Sequence, residues 1–294
     1  MSRIKGEIGL LLTAIIWGSG FVASAISLDS YSPYQIMAGR FTIGAIVLSV
    51  IFAKKFQRLT KATIFKGMIL GFILFIAFAF QTVGLQYTTP SKNAFLTAVN
   101  VVIVPFLGFC IYKKRVDLFE TAGAVLAIIG VGLLSLQFSG VINIGDFLSL
   151  LCALGFAFHI VFTAKYVQKA DPFLLTIIQM ITAAFIGWVV LVFRGETNMV
   201  IETKVLWPIV YLGIFSTSIA FLLQTVAQKY TSETKAAIIL STESFWGMTF
   251  SVLLLNELLT TRMIVGAALI LIAVILSETK LNFLKNKRVE ETIQ

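Results

Sequence analysis

The sequence predicts an all-α integral membrane protein of ten transmembrane helices arranged as two inverted five-helix repeats. Three observations lead there: ten long apolar blocks joined by short polar links, a strong bias of Lys and Arg to one side of those blocks, and a motif that recurs 143 residues after its first occurrence. Of the 294 residues, 58% are hydrophobic and only 13% are charged, against about 25% charged in an ordinary soluble domain. That composition excludes a soluble globular protein, a disordered chain and a disulfide scaffold. Cys110 and Cys152 each sit inside an apolar block and read as small packing residues.

A bilayer core about 30 Å thick needs about 20 apolar residues per helix. The blocks lie at 6–27, 33–53, 66–87, 93–112, 118–137, 146–167, 172–193, 205–228, 234–255 and 261–281. They are expected to be helical because every backbone polar group must find its partner internally in lipid. Basic Arg3 and Lys5, an apolar run and Ala23-Ser24-Ala25 imitate a signal peptide, but the run is too long for its apolar core. Block 6–27 is therefore a span. In the fourth block, Pro105 is expected to free a carbonyl and kink the helix.

Placing the N-terminus in the cytoplasm puts 18 Lys and Arg residues inside and four outside, leaving Arg40 within a span. This asymmetry supports an even number of spans, both termini cytoplasmic, in a multi-pass protein of the plasma membrane. The net charge of +9 follows from those short basic clusters. It is membrane topology and not a nucleic-acid footprint.

Residues 77–94 read AFAFQTVGLQYTTPSKNA and residues 220–237 read AFLLQTVAQKYTSETKAA, identical at nine of 18 positions. Shared apolar composition does not explain Gln81/Gln224, Tyr87/Tyr230 and Lys92/Lys235 in register. The same offset pairs Gly123-Ala124 with Gly266-Ala267, and an offset of 139 pairs Gly6-Glu7 with Gly145-Asp146. The expected organisation is a first repeat over 1–137, a second over 138–281 and a polar cytoplasmic tail over 282–294. Five spans per repeat force the second copy to enter the membrane from the opposite side. Inverted repeats are a hallmark of secondary transporters, where a site between the repeats opens to each side in turn.

Several local motifs then fall into a familiar order. They are Trp17-Gly18 in the first span, Asp171-Pro172 before the seventh and Thr242-Glu243 in the ninth. Asn256-Glu257-Leu258-Leu259 closes the ninth span, and Gly266-Ala267-Ala268-Leu269-Ile270-Leu271 lies in the tenth. With these, the chain resembles the EamA family of the drug/metabolite transporter superfamily over about residues 6–281. The resemblance implies ten helices, a central cavity between the halves, and export or uptake of small metabolites. The sequence departs from the pattern at Lys113-Lys114-Arg115, where the first repeat often carries a Gly-Glu pair.

Ionisable groups inside lipid are functional candidates by default. Glu243 lies nine residues into its span, about 13 Å deep at 1.5 Å per residue. There it can bind a cation, carry a proton, or serve as a structural carboxylate. Arg40 sits about 10 Å from the nearer edge of its span. It can clamp an anionic group, neutralise Glu243 or snorkel to the surface. His159, the one histidine, can relay protons or stay neutral and bonded to a carbonyl or hydroxyl. Asn100 occupies the position symmetric to Glu243 and is expected to line a cavity. Gln179 joins the substrate-binding set as a neutral amide within a span. Gln81 and Gln224 read rather as interhelical glue. Trp17 and Trp246 are candidates for a cavity wall, with Trp246 on the helical face of Glu243. Small residues in the fifth and tenth spans permit close helix packing or a homodimer contact.

No phosphate-binding loop and no metal-ligand spacing occur, so neither an ATP-driven pump nor a cofactor is expected. The expected partners are a small-molecule substrate, the lipid bilayer and protons as coupling ion, with no nucleic acid. Two other readings remain open at this point: an intramembrane enzyme using Glu243 and His159, and a passive channel.

Overall fold

The structure, a computed structural model, describes residues 3–113, 118–135, 143–199, 202–231 and 233–279. Among these residues every regular element is a helix. The first half of the chain forms α1 (Arg3–Leu28), α2 (Pro33–Ile51), a 3-10 turn (Ala53–Arg58), α3 (Lys61–Leu85), α4 (Pro90–Ala98), α5 (Asn100–Tyr112) and α6 (Leu118–Ser135). The second half forms α7 (Ile144–Tyr166), α8 (Pro172–Arg194), α9 (Thr203–Tyr211), a π-helical segment (Leu212–Ile219), α10 (Ala220–Gln228), α11 (Glu233–Ser241), α12 (Glu243–Leu255) and α13 (Thr261–Thr279). The tail expected over 282–294 lies outside the described residues, as do Lys114 and Arg115 of the basic turn.

Local chemistry sets the helix ends. Ser32 and Gln35 form a capping box: the Gln35 N–H donates to Ser32 Oγ at 3.2 Å and the Ser32 N–H donates to Gln35 Oε1 at 2.9 Å. Pro33, Pro90 and Pro172 stand in the first turns of α2, α4 and α8, where a missing N–H costs nothing. Asn143 and Asp171 cap α7 and α8 by accepting the N–H groups of Gly145 at 2.7 Å and Phe173 at 2.8 Å. Gly195 ends α8 at φ 67, a left-handed conformation free of strain only in glycine.

Among the described residues, eight helices are long and apolar enough to cross a membrane, and Thr121–Leu133 and Thr261–Ala273 are shorter apolar stretches. Three of the expected spans are internally interrupted. The fourth breaks at Val99 between α4 and α5, and the ninth at Thr242 between α11 and α12. The eighth passes through a π-helical segment between α9 and α10. The break in the fourth span is thus not where its proline is: α5 continues through Pro105. At Val99 the ladder tightens to a three-residue bond, its N–H donating to the Leu96 carbonyl at 3.3 Å.

Large side chains such as Phe193, Val50, Ile128 and Phe185 point outward, as a lipid-facing surface requires. Inside, Phe41, Phe156 and Phe221 pack around Phe78. Phe41 and Phe156 meet its ring edge-on at 5.4 Å and 5.2 Å, and Phe221 is tilted at 5.9 Å. This cluster joins α2, α3, α7, α8 and α10. Elsewhere backbones approach through glycine. A Cβ on Gly18 of α1 would run into Trp246 Cβ and stand 2.9 Å from the Gly247 nitrogen on α12. One on Gly130 of α6 would stand 2.9 Å from the Gly266 carbonyl oxygen of α13. The small residues of the fifth and tenth spans therefore meet each other within the chain.

Two expectations about stability follow from these contacts. Gly18→Val should lower the melting temperature of the detergent-purified protein, because overpacking of this kind costs about 1–3 kcal/mol. Gly108→Ala is the control: apart from its chain neighbours and its own helix backbone, no described atom lies within 4 Å of its Cβ position, so its melt should be unchanged or higher. Equal melts for the two variants would contradict the packing.

The second concerns Asp171. Burial raises its carboxyl pKa, but the Lys55 ammonium at 2.8 Å and the N–H groups of Phe173 and Leu174 outweigh burial and hold it below the usual carboxylate range. A pKa depressed in the folded state adds stability at neutral pH that is lost as pH falls through the folded pKa. Asp171→Ala should cost about 1 kcal/mol near pH 7, the ordinary value of a helix cap. The gap between its melts and those of the wild type should close as the pH is lowered below about 4.

Candidate functional site

The two broken helices bring their breaks to one place. Asn100 is the first residue of α5 and Glu243 the first of α12, and both line one cavity between the helices. The wall is built from both halves of the chain: α1, α2, α3 and α5 on one side, and α7, the π-helical segment, α10, α11 and α12 on the other. Most of its surface is apolar and aromatic, with Phe21, Phe78, Phe156 and Leu240 prominent. Polar groups are few and set among them.

Arg40 reaches this cavity from α2. It is 2% exposed. Its Nε donates to Thr217 Oγ1 and its Nη2 to Ser216 Oγ, each at 2.9 Å. The guanidinium carbon lies 4.3 Å from the centre of the Phe78 ring. Among the described residues Arg40 pairs with no carboxylate, and its head does not reach for the surface. It therefore adopts neither the ion pair with Glu243 nor the snorkelled position.

Its hydroxyl partners exist in this arrangement because of the π-helical segment. One extra residue per turn displaces the carbonyls from their usual partners. The Ser216 carbonyl accepts the Trp17 Nε1 hydrogen at 2.9 Å, and the Gly213 carbonyl accepts the Ser218 hydroxyl at 2.7 Å. Glycines open the room. A Cβ on Gly20 would stand 2.8 Å from Ser216 Oγ, and one on Gly44 the same distance from Thr217 Cγ2.

Glu243 is 6% exposed and has no ion pair and no hydrogen bond among the described residues. Asn100 is 5% exposed, and its Oδ1 likewise has no partner. Trp17 completes the group, its ring 4.8 Å from that of Phe221. Four of the seven residues expected to bind substrate thus share one cavity: Glu243, Arg40, Trp17 and Asn100.

The other three stand outside its wall. His159 and Gln179 are fully buried between α7 and α8, with His159 Nε2 and Gln179 Oε1 2.8 Å apart. His159 touches the edge of Phe221, which in turn backs Trp17. The pair of Glu243 and His159 needed by an intramembrane enzyme is not assembled. Trp246 packs on Phe250 and against Gly18 at the α1–α12 contact. Gln81 and Gln224, read from sequence as glue between helices, both line the cavity. Gln81 also donates to Thr97 Oγ1 at 3.3 Å.

Sequence reading passed over Ser216 and Thr217. The signal for them was the run Ser216-Thr217-Ser218 inside an apolar span, with Gly20 and Gly44 on the facing helices. Two carboxylates that entered the sequence reading only as motif residues, Asp146 and Glu257, hold the first turn of α4. Asp146, fully buried, pairs with Lys92 at 3.0 Å and accepts the Thr88 hydroxyl. Glu257 accepts the Ser91 N–H and hydroxyl at 3.2 Å and 2.8 Å, and the Ser251 hydroxyl as well. Among the described residues no group of three His, Cys, Asp or Glu side chains could hold a metal ion.

Comparison with known proteins agrees with this architecture. The model of the EamA-like transporter family matches residues 4–136 and again residues 143–279. An uncharacterized transporter of Archaeoglobus fulgidus is 36% identical over 277 residues, covering 94% of this chain and 86% of the relative. A probable amino-acid metabolite efflux pump of Escherichia coli K12 is 26% identical over 290 residues, covering 92% of this chain and 93% of the pump. A crystal structure at 17% sequence identity superposes with a TM-score of 0.71 over 96% of this chain and 99% of that one, which speaks to the fold alone. Apolar helices that cross a membrane around a mostly apolar cavity, and a family match spanning nearly the whole sequence, lead to one conclusion: the chain belongs to the EamA-like transporter family and is a multi-pass membrane transporter of small metabolites rather than an enzyme.

Proposed function

We propose that this protein is a secondary transporter that carries small metabolites across the plasma membrane by alternating access of the central cavity. Its substrate class comprises amino acids, amines or drugs, and both termini lie in the cytoplasm. Residues 1–137 and 138–281 form the two inverted repeats, and Glu243 couples cargo movement to protons or to a cationic group on the cargo. The observation that carries this reading is the shared construction of the two halves around one cavity. Val99 and Thr242, the two breaks, are 143 residues apart, and each is followed at once by a polar residue on the cavity wall.

The contacts repeat with the same offsets. A Cβ on Gly145 would stand 2.5 Å from the Gly84 carbonyl oxygen and within 3 Å of backbone atoms of Tyr87 and Thr88. Gly6, its counterpart, faces the Ala227 carbonyl oxygen at 3.6 Å, with Tyr230 and Thr231 beside it. Ala227, Tyr230 and Thr231 are the counterparts of Gly84, Tyr87 and Thr88. One contact made twice, tighter in one copy, supports the reading of two related halves that differ in how closely they pack. The two family matches, one in each half, support the same division. The Escherichia coli relative supports amino-acid metabolites as one cargo class.

Two experiments test this. With Cys110→Ser and Cys152→Ser as background, Asp29→Cys should react with an impermeant thiol reagent on intact cells, and Gln57→Cys only after permeabilisation. Labelling of Gln57→Cys from outside would overturn the topology. In proteoliposomes supplied with radiolabelled amino acids, Glu243→Gln should abolish uptake driven by a pH gradient while exchange of neutral cargo persists in part. A well-folded Glu243→Gln protein with normal pH-driven uptake would remove Glu243 from coupling.

A further inference from the structure

We infer that the cavity holds a docking site for a carboxylate group of the cargo, formed by the terminal edge of the Arg40 guanidinium and set in place by Ser216 and Thr217 of the π-helical segment. The inference deepens the proposed function, since it takes the cavity to be the transport site.

A guanidinium has five N–H donors in one plane. Nε and Nη2 share its lateral edge, and on Arg40 these two atoms donate to Thr217 Oγ1 and Ser216 Oγ at 2.9 Å each. The lateral edge is therefore occupied. Three donors remain, two on Nη1 and one on Nη2, and no residue among those described accepts them. The free Nη1 and Nη2 hydrogens lie along the terminal edge, spaced to hold the two oxygens of a carboxylate in parallel. The guanidinium carbon lies over the Phe78 ring, 4.3 Å from its centre, so the ring packs against the group.

Charge leads to the same ligand. An arginine 2% exposed, in a span and without a carboxylate partner, leaves a cation uncompensated in a poorly polarisable interior. Its hydroxyl neighbours supply dipoles but no charge. The cavity it lines has walls of Phe21, Phe156 and Leu240 for the apolar part of the cargo. A monoanion matches the single charge of Arg40, whereas a phosphonate brings up to two negative charges against the same apolar walls. Ser216 and Thr217 are positioning residues: they touch the guanidinium and act on the cargo through it.

The test uses ligands of one skeleton with different heads: phenylacetate, benzylphosphonate, phenethylamine and 2-phenylethanol, together with the small carboxylate pyruvate and its alcohol counterpart hydroxyacetone. Thermal melts of the full-length protein in detergent are followed against ligand concentration. At least one carboxylate should stabilise the wild type more than its matched alcohol, and phenylacetate more than benzylphosphonate. Thr217→Val should weaken carboxylate binding about tenfold, the loss expected when one hydrogen bond to a charged group is removed, without changing the response to the alcohol. Arg40→Lys should weaken it further, because an ammonium lacks the planar fork. Should Arg40→Lys fail to fold, Thr217→Val and Ser216→Ala carry the test alone, since selectivity for carboxylate over alcohol is not moved by a merely structural defect. The site is refuted if no carboxylate exceeds its alcohol, if the phosphonate binds more tightly, or if Thr217→Val keeps the wild-type selectivity. A protein that binds carboxylates in this way yet fails to transport in proteoliposomes would refute the transport reading and leave the site standing.

Discussion

Within hydrocarbon a backbone N–H or carbonyl without a partner costs several kcal/mol, and the arrangement of this protein depends on where that cost is avoided. Most of the chain does so with uninterrupted helices such as α1, α3 and α7. Three spans interrupt their ladders, and all three interruptions lie on the central cavity. The Val99 and Thr242 breaks are closed by three-residue bonds, with the Thr242 N–H donating to the Ile239 carbonyl at 3.3 Å. In the π-helical segment the Ser216 carbonyl is taken by the Trp17 indole and the Gly213 carbonyl by the Ser218 hydroxyl. Irregular backbone at membrane depth is tolerated where protein or a cavity surrounds it, and here it delivers Asn100, Glu243 and Ser216 to one wall, with Thr217 behind Arg40.

Close backbone approach makes those deliveries possible. Trp17 reaches the π-helical segment, and Gly18, Gly20 and Gly44 leave α1 and α2 bare where the second half of the chain comes against them. Without a hydrophobic force to join helices in lipid, packing of this kind is a main source of association. The positions that make the bundle compact are thus the neighbours of the positions that make the cavity. A side chain at Gly20 would press on Ser216, and through it on Arg40.

How far the sequence foretold this follows from which constraints are local. Apolar blocks, their approximate ends and the basic links are properties of short windows, so α1, α2, α3, α7 and α8 fall close to the expected blocks. Glu243, Arg40 and Asn100 stood out because a polar residue in an apolar block is conspicuous wherever it lies. The interruptions were invisible for the opposite reason. Val99 and Thr242 are ordinary helix residues, and Pro105, the conventional breaker, sits inside α5. The run from Leu212 to Ile219 contains nothing that demands a π-helix; its extra residue is stabilised by Trp17 and Arg40, which arrive from far along the chain. His159 shows the limit from the other side. Being the one histidine made it prominent, but its partner Gln179 on α8 and the Phe221 ring between it and Trp17 are facts of packing.

The same division between local and distant constraint separates the two kinds of polar contact in the bundle. Arg40 and Glu243 face the cavity without a charged partner among the described residues. Asp146 and Lys92 spend their charge on one another, and Glu257 spends its on Ser91 and Ser251, so that Thr88, Ser91 and Lys92 at the start of α4 are all engaged. α4 has only nine residues before the break at Val99, too few to be fixed as an independent helix. Its anchorage combines the buried faces of Phe95 and Leu96 with these polar bonds at its start. Because Asp146 is fully buried, loss of its partner would leave a costly unpaired charge, so these bonds hold the start of α4 as firmly as packing holds the rest. α4 is therefore a short helix held at its start by polar bonds and along its length by apolar packing, and it stops beside a cavity residue. It begins where Asp146 and Glu257 grip it and ends with one residue, Val99, before Asn100 enters the cavity wall.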